Sequence, residues 1–221
     1  YFFFFLTKTL NFIKMVYNFE LIKQHLTFLN ERSFFFVQII KRKKENPELK
    51  GYSRPVESFY IFNLDQFDRM MPHIIELCEK NKARAYIKMN VLDANSVGLE
   101  TISVLTQELR RNNWKHLSKA FNSACGICGK QDGSEKMYLI DLDTKDETFI
   151  DCVKNIINNI CEPLDNTDKV KMVVPTKNGY HFISTGFNQN RFREMLRGEQ
   201  PIDIHSDGIT LLYFPESCDN E

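Results

Sequence analysis

The chain has 221 residues, of which 43% are hydrophobic and 26% are charged, a balance that excludes a disordered or fibrous protein and is typical of a globular one. Its 29 lysine and arginine residues equal its 29 aspartate and glutamate residues, so no global basic field attracts nucleic acid, and any such contact must come from a local patch. Six cysteines at irregular spacing favour reduced thiols in a cytoplasmic protein over a disulfide framework.

The first segment, residues 1–14, is apolar but has no clear periodicity. Its run Tyr1–Leu6 is too short to span a membrane and is followed by Lys8, so we expect no membrane partner. Because Met15 precedes a regular pattern, we expect residues 1–14 to be a non-native or upstream extension. A short apolar helix packed on the core is the alternative.

Residues 15–122 alternate between helical and strand patterns and predict a small N-terminal αβ lobe. The strands are expected at Ser33–Ile40, Ser58–Asn63 and Ala83–Val91, and a helix at Ser96–Asn112 with an apolar stripe of Leu99, Ile102, Leu105 and Leu109. The first strand runs into the basic residues 41–44, which are either a solvated strand end or a grip on a phosphate backbone. Arg84, Tyr86 and Lys88 share one strand face, which either is exposed to solvent or contacts nucleic acid or a nucleotide.

A loop is predicted at residues 123–135 from its glycine and polar content. It contains Cys125 and Cys128, which are half of a zinc knuckle. No second CxxC motif follows, and half a knuckle does not complete a tetrahedral site. We therefore predict no zinc here.

Residues 136–214 have a more regular order. A strand at Met137–Leu142 leads to a helix at Glu147–Cys161. A hairpin of Val170–Val174 and Tyr180–Ser184 follows, then a helix at Asn190–Arg197 and strand-like residues on both sides of the turn 206–208. This βαββαβ order is that of the RNA-recognition or ferredoxin-like fold. The predicted class is therefore α+β, with residues 136–214 as the catalytic half and 215–221 as a tail.

Two acids end the strand KMYLIDLD. Side chains alternate along a strand, so Asp141 and Asp143 lie on one face. Two neighbouring carboxylates raise one pKa or recruit a cation, and Mg²⁺ or Mn²⁺ prefers such oxygen ligands. The simpler interpretation is an ordinary strand end that runs into a polar turn.

A histidine lies two strands further along, directly after a Gly-containing turn. In the predicted fold the strand of His181 is the sheet neighbour of the strand of Asp141, so His181 is a candidate donor to phosphate. Thr176, Lys177 and the backbone N–H groups around Gly179 are candidates for the same role. A third acid would complete a metal site, and we favour Asp203, which lies in a strand, over Asp207, which lies in a turn.

The segments LIDLD, PTKNGYH and PID together resemble the three motifs of the archaeo-eukaryotic primase superfamily, whose catalytic half is also RNA-recognition-like. The resemblance implies a metal-dependent, template-directed nucleotidyltransferase. It implies that Asp141, Asp143 and Asp203 are catalytic and bind Mg²⁺ or Mn²⁺, and that His181 contacts the triphosphate of an NTP or dNTP. The implied partner is a single-stranded DNA template. The segment Thr176–Asn178 departs from the small-residue lead-in that is usual before the histidine.

Several alternatives remain open from the sequence. The same acids suit a metal-dependent phosphodiesterase or a replication-initiator-like endonuclease, although Tyr180 alternates away from His181. An RNA-recognition-type module that binds nucleic acid without catalysis is the other class. Arg191, Arg193 and Arg197 are further candidates for phosphate contacts. DNA or RNA as the product, primer dependence, the oligomeric state and a helicase working in trans also stay open.

Overall fold

Two antiparallel sheets form the framework of the protein, and their presence together with α-helices confirms the predicted α+β class. The computed structural model describes residues 15–197 and 202–215. The predicted extension at residues 1–14 and nearly all of the predicted tail lie outside these ranges. Within them, no helix combines the length and the apolar composition that a membrane crossing requires.

The first sheet has the strand order β1-β10-β4-β2-β3, with the short β5 paired to β2. Aromatic and β-branched residues favour the extended backbone of its central strand, SFFFVQIIK. The strands are β1 (Val16–Tyr17), β2 (Ser33–Lys41), β3 (Arg54–Ile61), β4 (Arg84–Lys88), β5 (Leu92–Asp93) and β10 (Ile209–Phe214).

Helices cover both faces of the first sheet. They are α1 (Phe19–Lys23), α2 (Leu64–Asn81), α3 (Ala94–Arg110) and α4 (Ala120–Ile127). Asn63 caps α2 by accepting from Gln66 N at 2.8 Å, and Asp93 caps α3 by accepting from Ser96 N at 3.0 Å. The side chains of α2 pack with Phe35 and its alternate neighbours on β2, whereas α3 and α4 pack with Phe34 on the other face.

The second sheet has the order β7-β8-β6-β9. Its elements are β6 (Tyr138–Leu142), α5 (Glu147–Asn155), β7 (Val170–Pro175), β8 (Tyr180–Ser184), α6 (Gln189–Met195) and β9 (Asp203–His205). Ile140 and Leu142 pack against α5 and α6 on one face. Leu139 on the other face of β6 joins the core of the first sheet, so the two sheets share one hydrophobic core.

After β9 the chain leaves the second sheet, and β10 lies in the first sheet between β1 and β4. The sequence pattern assigns Ile209–Phe214 to the predicted unit 136–214. In the structure this strand instead pairs with β1, which contains Val16, and with β4, which contains Tyr86. The first sheet is thus assembled from both ends of the described chain. This pairing joins Val16 to Phe214, residues far apart in the chain, which no local pattern reveals.

The apolar stripe predicted on α3 points away from the core. Leu99 and Ile102 are 71% and 62% exposed, and Leu109 is also exposed, while Val97 and Val104 are the buried residues. Helix α3 therefore has two apolar faces, and the sequence-based choice between them is wrong. The buried face is the one that packs on β2.

Asn18 joins the two sheets close to β10. Its backbone N–H donates to Leu212 O at 3.0 Å, and its side-chain amide donates to Leu211 O and to Pro175 O, both at 2.9 Å. Leu211 belongs to the first sheet and Pro175 to the second, and Asn18 is only 3% exposed. One buried amide therefore satisfies a carbonyl from each sheet.

We expect Asn18→Ala to lower the free energy of unfolding by about 2–4 kcal/mol, because two carbonyls at the junction lose their donor. Urea unfolding followed by circular dichroism measures this. The matched control is Asn159→Ala, which removes an exposed amide that donates to Asn155 and should change stability by less than about 0.5 kcal/mol. Equal midpoints for the two variants would contradict a junction role for Asn18.

Candidate functional site

A row of polar side chains crosses three neighbouring strands of the second sheet. Asp141 on β6 is directly opposite His181 on β8 and directly opposite Asp203 on β9. Residues opposite one another on adjacent strands project from the same face with Cβ atoms about 5 Å apart. The strand register therefore places His181, Asp141 and Asp203 side by side on the face that points towards the first sheet.

The imidazole of His181 contacts the carboxylate of Asp141. The Nε2 atom of His181 lies 3.4 Å from Oδ1 of Asp141, and the His181 side chain is only 12% exposed. The hydrogen bond from His181 lowers the pKa of Asp141, with a smaller contribution from the charge of Arg42, and burial opposes the shift. Asp141 is therefore ionised at neutral pH and able to bind a cation.

The other ring nitrogen of His181 contacts the first sheet. Its Nδ1 lies 3.0 Å from the hydroxyl oxygen of Thr210, which is fully buried on β10. A carboxylate only accepts hydrogen bonds, so the contact with Asp141 favours a proton on Nε2. In the neutral ring, Nδ1 then accepts from the Thr210 hydroxyl, and this pair of contacts fixes both the tautomer and the ring orientation.

These residues open into a cleft of about 360 Å³ between the two sheets. The second sheet contributes acids and the turn between β7 and β8, and the first sheet contributes cations and one aromatic ring. The lining residues are Arg42, Lys44, Glu45, Arg84, Tyr86, Asp141, Asp143, Thr176, Lys177, Asn178, His181 and Leu211. The cleft thus brings together two of the three favoured acids, Asp141 and Asp143, with the phosphate candidates Thr176, Lys177 and His181, and its lining does not include Asp203.

The turn that contains Lys177 packs tightly against the end of β6. Thr176 N donates to Gly179 O at 2.9 Å, and Gly179 N donates to Thr176 Oγ1 at 3.1 Å. A Cβ atom on Gly179 would lie 1.9 Å from Leu142 O and 2.7 Å from Thr144 N. Only glycine fits here, and the close approach fixes the backbone on both sides of Asp143.

The cations of the cleft fall into two groups. Arg84 is 6% exposed and makes a two-pronged ion pair with Glu45, with Nε 3.0 Å from Oε2, and its guanidinium lies 4.3 Å from the ring centre of Phe214. Arg84 is therefore already neutralised. Arg42, Lys44 and Lys177 also line the cleft, and none of them is ion-paired to a residue that the structure describes. These three provide the positive charge that an anionic ligand would meet.

The two candidates for the third acid have different surroundings. Asp203 is exposed and lies beside the cleft, in the row with Asp141. Asp207 lies near the opposite end of β6, where Lys136 Nζ donates to it at 2.7 Å and Asn90 Nδ2 at 3.1 Å. The side chain of Asp207 therefore makes an ion pair with Lys136, in addition to the preference of aspartate for turn positions. The register favours Asp203.

Other sequence candidates lie outside the cleft. The arginines of α6 are exposed on the helix side of the second sheet, and Arg191 contacts Glu194 at 3.5 Å. The lining of the cleft includes none of Arg191, Arg193 and Arg197, so their phosphate contacts stay a prediction. Lys88, expected on a solvent or nucleotide face, is 2% exposed and donates to Cys125 O and Cys128 O at the end of α4.

The fit of the site to a metal ion follows from its donor atoms. Among the residues that the structure describes, no three or more side chains of His, Cys, Asp or Glu form a preassembled metal cluster. Mg²⁺ usually retains several waters and is held by one or two carboxylates together with substrate phosphates. Asp141 and Asp143 supply such a pair, so the donor set fits this cation when an anionic substrate completes it.

The CxxC pair has different chemistry. Cys125 is fully buried in an apolar cluster with Phe34 and Ala124, and burial raises the pKa of its thiol to about 12. Burial also raises the pKa of Cys128. Both thiols are therefore protonated at neutral pH.

Sequence reasoning missed three residues of the site: Glu45, Thr210 and Leu211. Glu45 and Leu211 line the cleft and Thr210 contacts His181, but each belongs to a segment with no motif. Only the placement of β10 in the first sheet brings Thr210 to His181. The basic run at 41–44 is the sequence signal that points to the first-sheet side of the cleft.

The chain matches no protein-family model, no curated protein and no solved structure.

We expect Gly179→Ala to destabilise the protein by about 1–3 kcal/mol, since the methyl group must displace the backbone of Leu142 and Thr144. Thermal unfolding measures this change. In Gly98→Ala, a helix position with open space around it, stability should stay the same or rise. If Gly179→Ala unfolds at the wild-type temperature, the close packing of this turn on β6 is incorrect.

Proposed function

We propose that this protein is a primase-like nucleotidyltransferase that polymerises nucleotides on a single-stranded template in nucleic-acid replication, using Mg²⁺ or Mn²⁺. The observation that carries the proposal is the convergence of Asp141, Asp143 and His181 in one cleft with three cations that lack a carboxylate partner among the described residues. A nucleoside triphosphate has the matching chemistry, because it carries both negative charge for the cations and oxygens for a metal ion.

The strand order of the second sheet supports the finer fold assignment. Numbered along the chain as first to fourth, β6, β7, β8 and β9 lie in the spatial order fourth, first, third, second, and all neighbours are antiparallel. With α5 and α6 on one face, this is the arrangement expected of an RNA-recognition or ferredoxin-like unit. The acids and His181 then occupy the face opposite the helices, which points towards the first sheet.

Asp141 and Asp143 are the residues we propose to hold the metal ion, with Asp203 as the third acid. When bound, the ion neutralises charge on the triphosphate and on the attacking 3′-hydroxyl. The low pKa of Asp141 keeps this carboxylate ionised before any ligand arrives. Asp203 lies within the same cross-strand row but outside the cleft lining, so it acts from the open side.

His181 and the β7–β8 turn are proposed to hold the triphosphate. Since Nδ1 of His181 is engaged by Thr210, Nε2 is the nitrogen that would reach a phosphate, and its one N–H would be shared between Asp141 and the phosphate oxygen. Lys177 and the backbone of the turn lie on the same wall of the cleft, and Arg42 and Lys44 lie on the other. The protein contributes positioning and charge, from which nearly all of the rate enhancement in phosphoryl transfer arises.

The alternatives have weaker support. Tyr180, the nucleophile that an initiator-type endonuclease would need, packs with the helices on the opposite face of the sheet. An RNA-recognition module that only binds usually displays aromatic rings on its two central strands. Here the corresponding positions are Asp141 and His181, which are poor surfaces for stacking.

The central test is incorporation of labelled NTPs or dNTPs on a single-stranded template with Mg²⁺ or Mn²⁺. Asp141→Asn, Asp143→Asn and Asp203→Asn should each lower the rate by at least about a hundredfold, because several kcal/mol of charge stabilisation are lost. Asp207→Asn is the matched control and should keep the activity while lowering the melting temperature through the lost contact with Lys136. Full activity in the first three variants would refute the proposed function.

A second prediction concerns the contact between Thr210 and His181. Thr210→Val should raise the KM for the nucleotide about tenfold with a smaller effect on kcat, since the imidazole loses the donor that fixes its orientation. Thr210→Ser retains the hydroxyl and should restore the wild-type KM. An equal KM in the valine and serine variants would show that the hydroxyl has no part in nucleotide binding.

A further inference from the structure

A second cavity, of about 400 Å³, lies next to the cleft. Its floor is formed by Gln38 of β2 and residues 55–58 of β3, and its wall by Lys119, Asn122 and Ser123 at the start of α4. Six of its eight lining residues have polar or charged side chains, and none of the eight belongs to the site described above. Helix α4 covers Phe34 and Phe36 on this face of the first sheet. Gln38, the next residue of β2 on the same face, lies in the cavity.

The strand register connects this cavity to the cleft. Ser58 is opposite Gln38, Gln38 is opposite Tyr86, and Tyr86 is opposite Leu211. The four side chains therefore form one row on one face of the first sheet. Three strand spacings separate its ends, which is about 14 Å. Ser58 and Gln38 line the second cavity, while Tyr86 and Leu211 line the cleft. This row, which we call the track, therefore runs from one cavity to the other.

Two polar groups along the track have hydrogen-bonding capacity that the described residues do not use. The Oγ atom of Ser58 is buried and has no hydrogen-bond partner among the described residues, which is rare for a buried hydroxyl. Asn122 accepts a hydrogen bond from the Tyr60 hydroxyl, and this orients its amide so that the NH₂ group is the free end. Ser58 and Asn122 both line the second cavity, so each residue places a polar group beside the space that a ligand would occupy.

Charge and aromatic character indicate the class of ligand. Lys119 lies at the far end of the track, and Arg42, Lys44 and Lys177 lie at the cleft end, so cations flank both ends. Tyr86 provides an aromatic ring between them. The acid of the second cavity, Glu57, accepts from the backbone N–H of Ser58 at 3.2 Å and is thus folded onto its own strand. Cations at the ends and a ring between them suit single-stranded nucleic acid.

We propose that this track binds a single-stranded segment of nucleic acid that extends from the cleft across β4, β2 and β3. A base stacks on Tyr86, the edge of the next base meets Gln38 and Ser58, and a phosphate meets Lys119. The choice of nucleic acid rests on the proposed function, whereas the location of the strand rests on the register and the two cavities.

The experiment measures the fluorescence anisotropy of labelled oligothymidylates of increasing length with the full chain, at several salt concentrations. Tyr86→Ala should weaken binding about tenfold. Lys119→Gln should weaken the binding of every oligothymidylate that is long enough to reach the second cavity. It should also reduce the slope of log Kobs against log salt by about 0.7, the value for one phosphate contact of a single strand. Lys115→Gln is the matched control, because Lys115 is exposed on the same 3-10 turn but lines neither cavity.

The outcomes separate this inference from the proposed function. Binding that depends on Lys119 and Tyr86 but not on Lys115 supports the track, even if the wild-type chain incorporates no nucleotide. If Lys119→Gln and Lys115→Gln have the same affinity and salt slope, the track is refuted, even if Asp141→Asn abolishes incorporation. Absence of oligothymidylate binding by the wild-type chain at low salt also refutes it. Unchanged melting temperatures show that each variant is folded, and Gln38→Ala replaces Tyr86→Ala if the latter unfolds.

Discussion

The hydrogen bond between His181 and Thr210 is the contact on which the geometry of the cleft depends. It crosses from the second sheet to the first, and it is 3.0 Å long between two largely buried residues. Because the same imidazole contacts Asp141, the position of the first sheet determines how the acid and the histidine face each other. Asn18 supports this arrangement close by, where it bonds a carbonyl of each sheet.

The cleft contains both paired and unpaired charges. The paired charges stabilise the protein without a ligand, and the unpaired charges are available to bind one. A buried guanidinium without a partner is costly, and Glu45 removes that cost for Arg84. The acids are exposed or half-exposed, so water solvates them before a cation arrives. Arg42, Lys44 and Lys177 lie at positions where solvent does the same for positive charge. Ligand binding then replaces solvation by direct pairing and requires little rearrangement.

Local patterns in the sequence predict much of the second sheet and of the candidate site. Alternation places Asp141 and Asp143 on one face of a buried strand, and the order of elements predicts that His181 lies on the neighbouring strand, as the register has it. Asp203 lies in a strand, as predicted, and the structure adds that this strand pairs with β6. These inferences succeed because each depends on a period of two residues and on neighbours within one sheet.

The errors have a common physical origin, which is that a periodic pattern identifies an apolar face but not the surface that covers it. Helix α3 has apolar residues on two sides, and packing against β2 selects Val97 and Val104 over Leu99 and Ile102. Lys88 has the sequence pattern of a surface residue, yet its ammonium group is buried at the end of α4, where two carbonyls accept its hydrogen bonds. In each case the deciding partner is distant in sequence.

The two aspartates near the end of the chain show how position within the fold determines chemical role. Asp203 and Asp207 have equal intrinsic basicity, but β9 pairs with β6 in a register that places Asp203 beside Asp141. The turn then carries Asp207 to the other end of β6, where Lys136 and Asn90 hold it. Thr210 follows shortly after, already in the first sheet. One short segment therefore contributes an acid to the row that we propose to bind a metal ion, an ion pair at the crossover, and the hydroxyl that contacts His181. The cleft can form only when this last segment has joined both sheets, which makes its assembly dependent on non-local pairing.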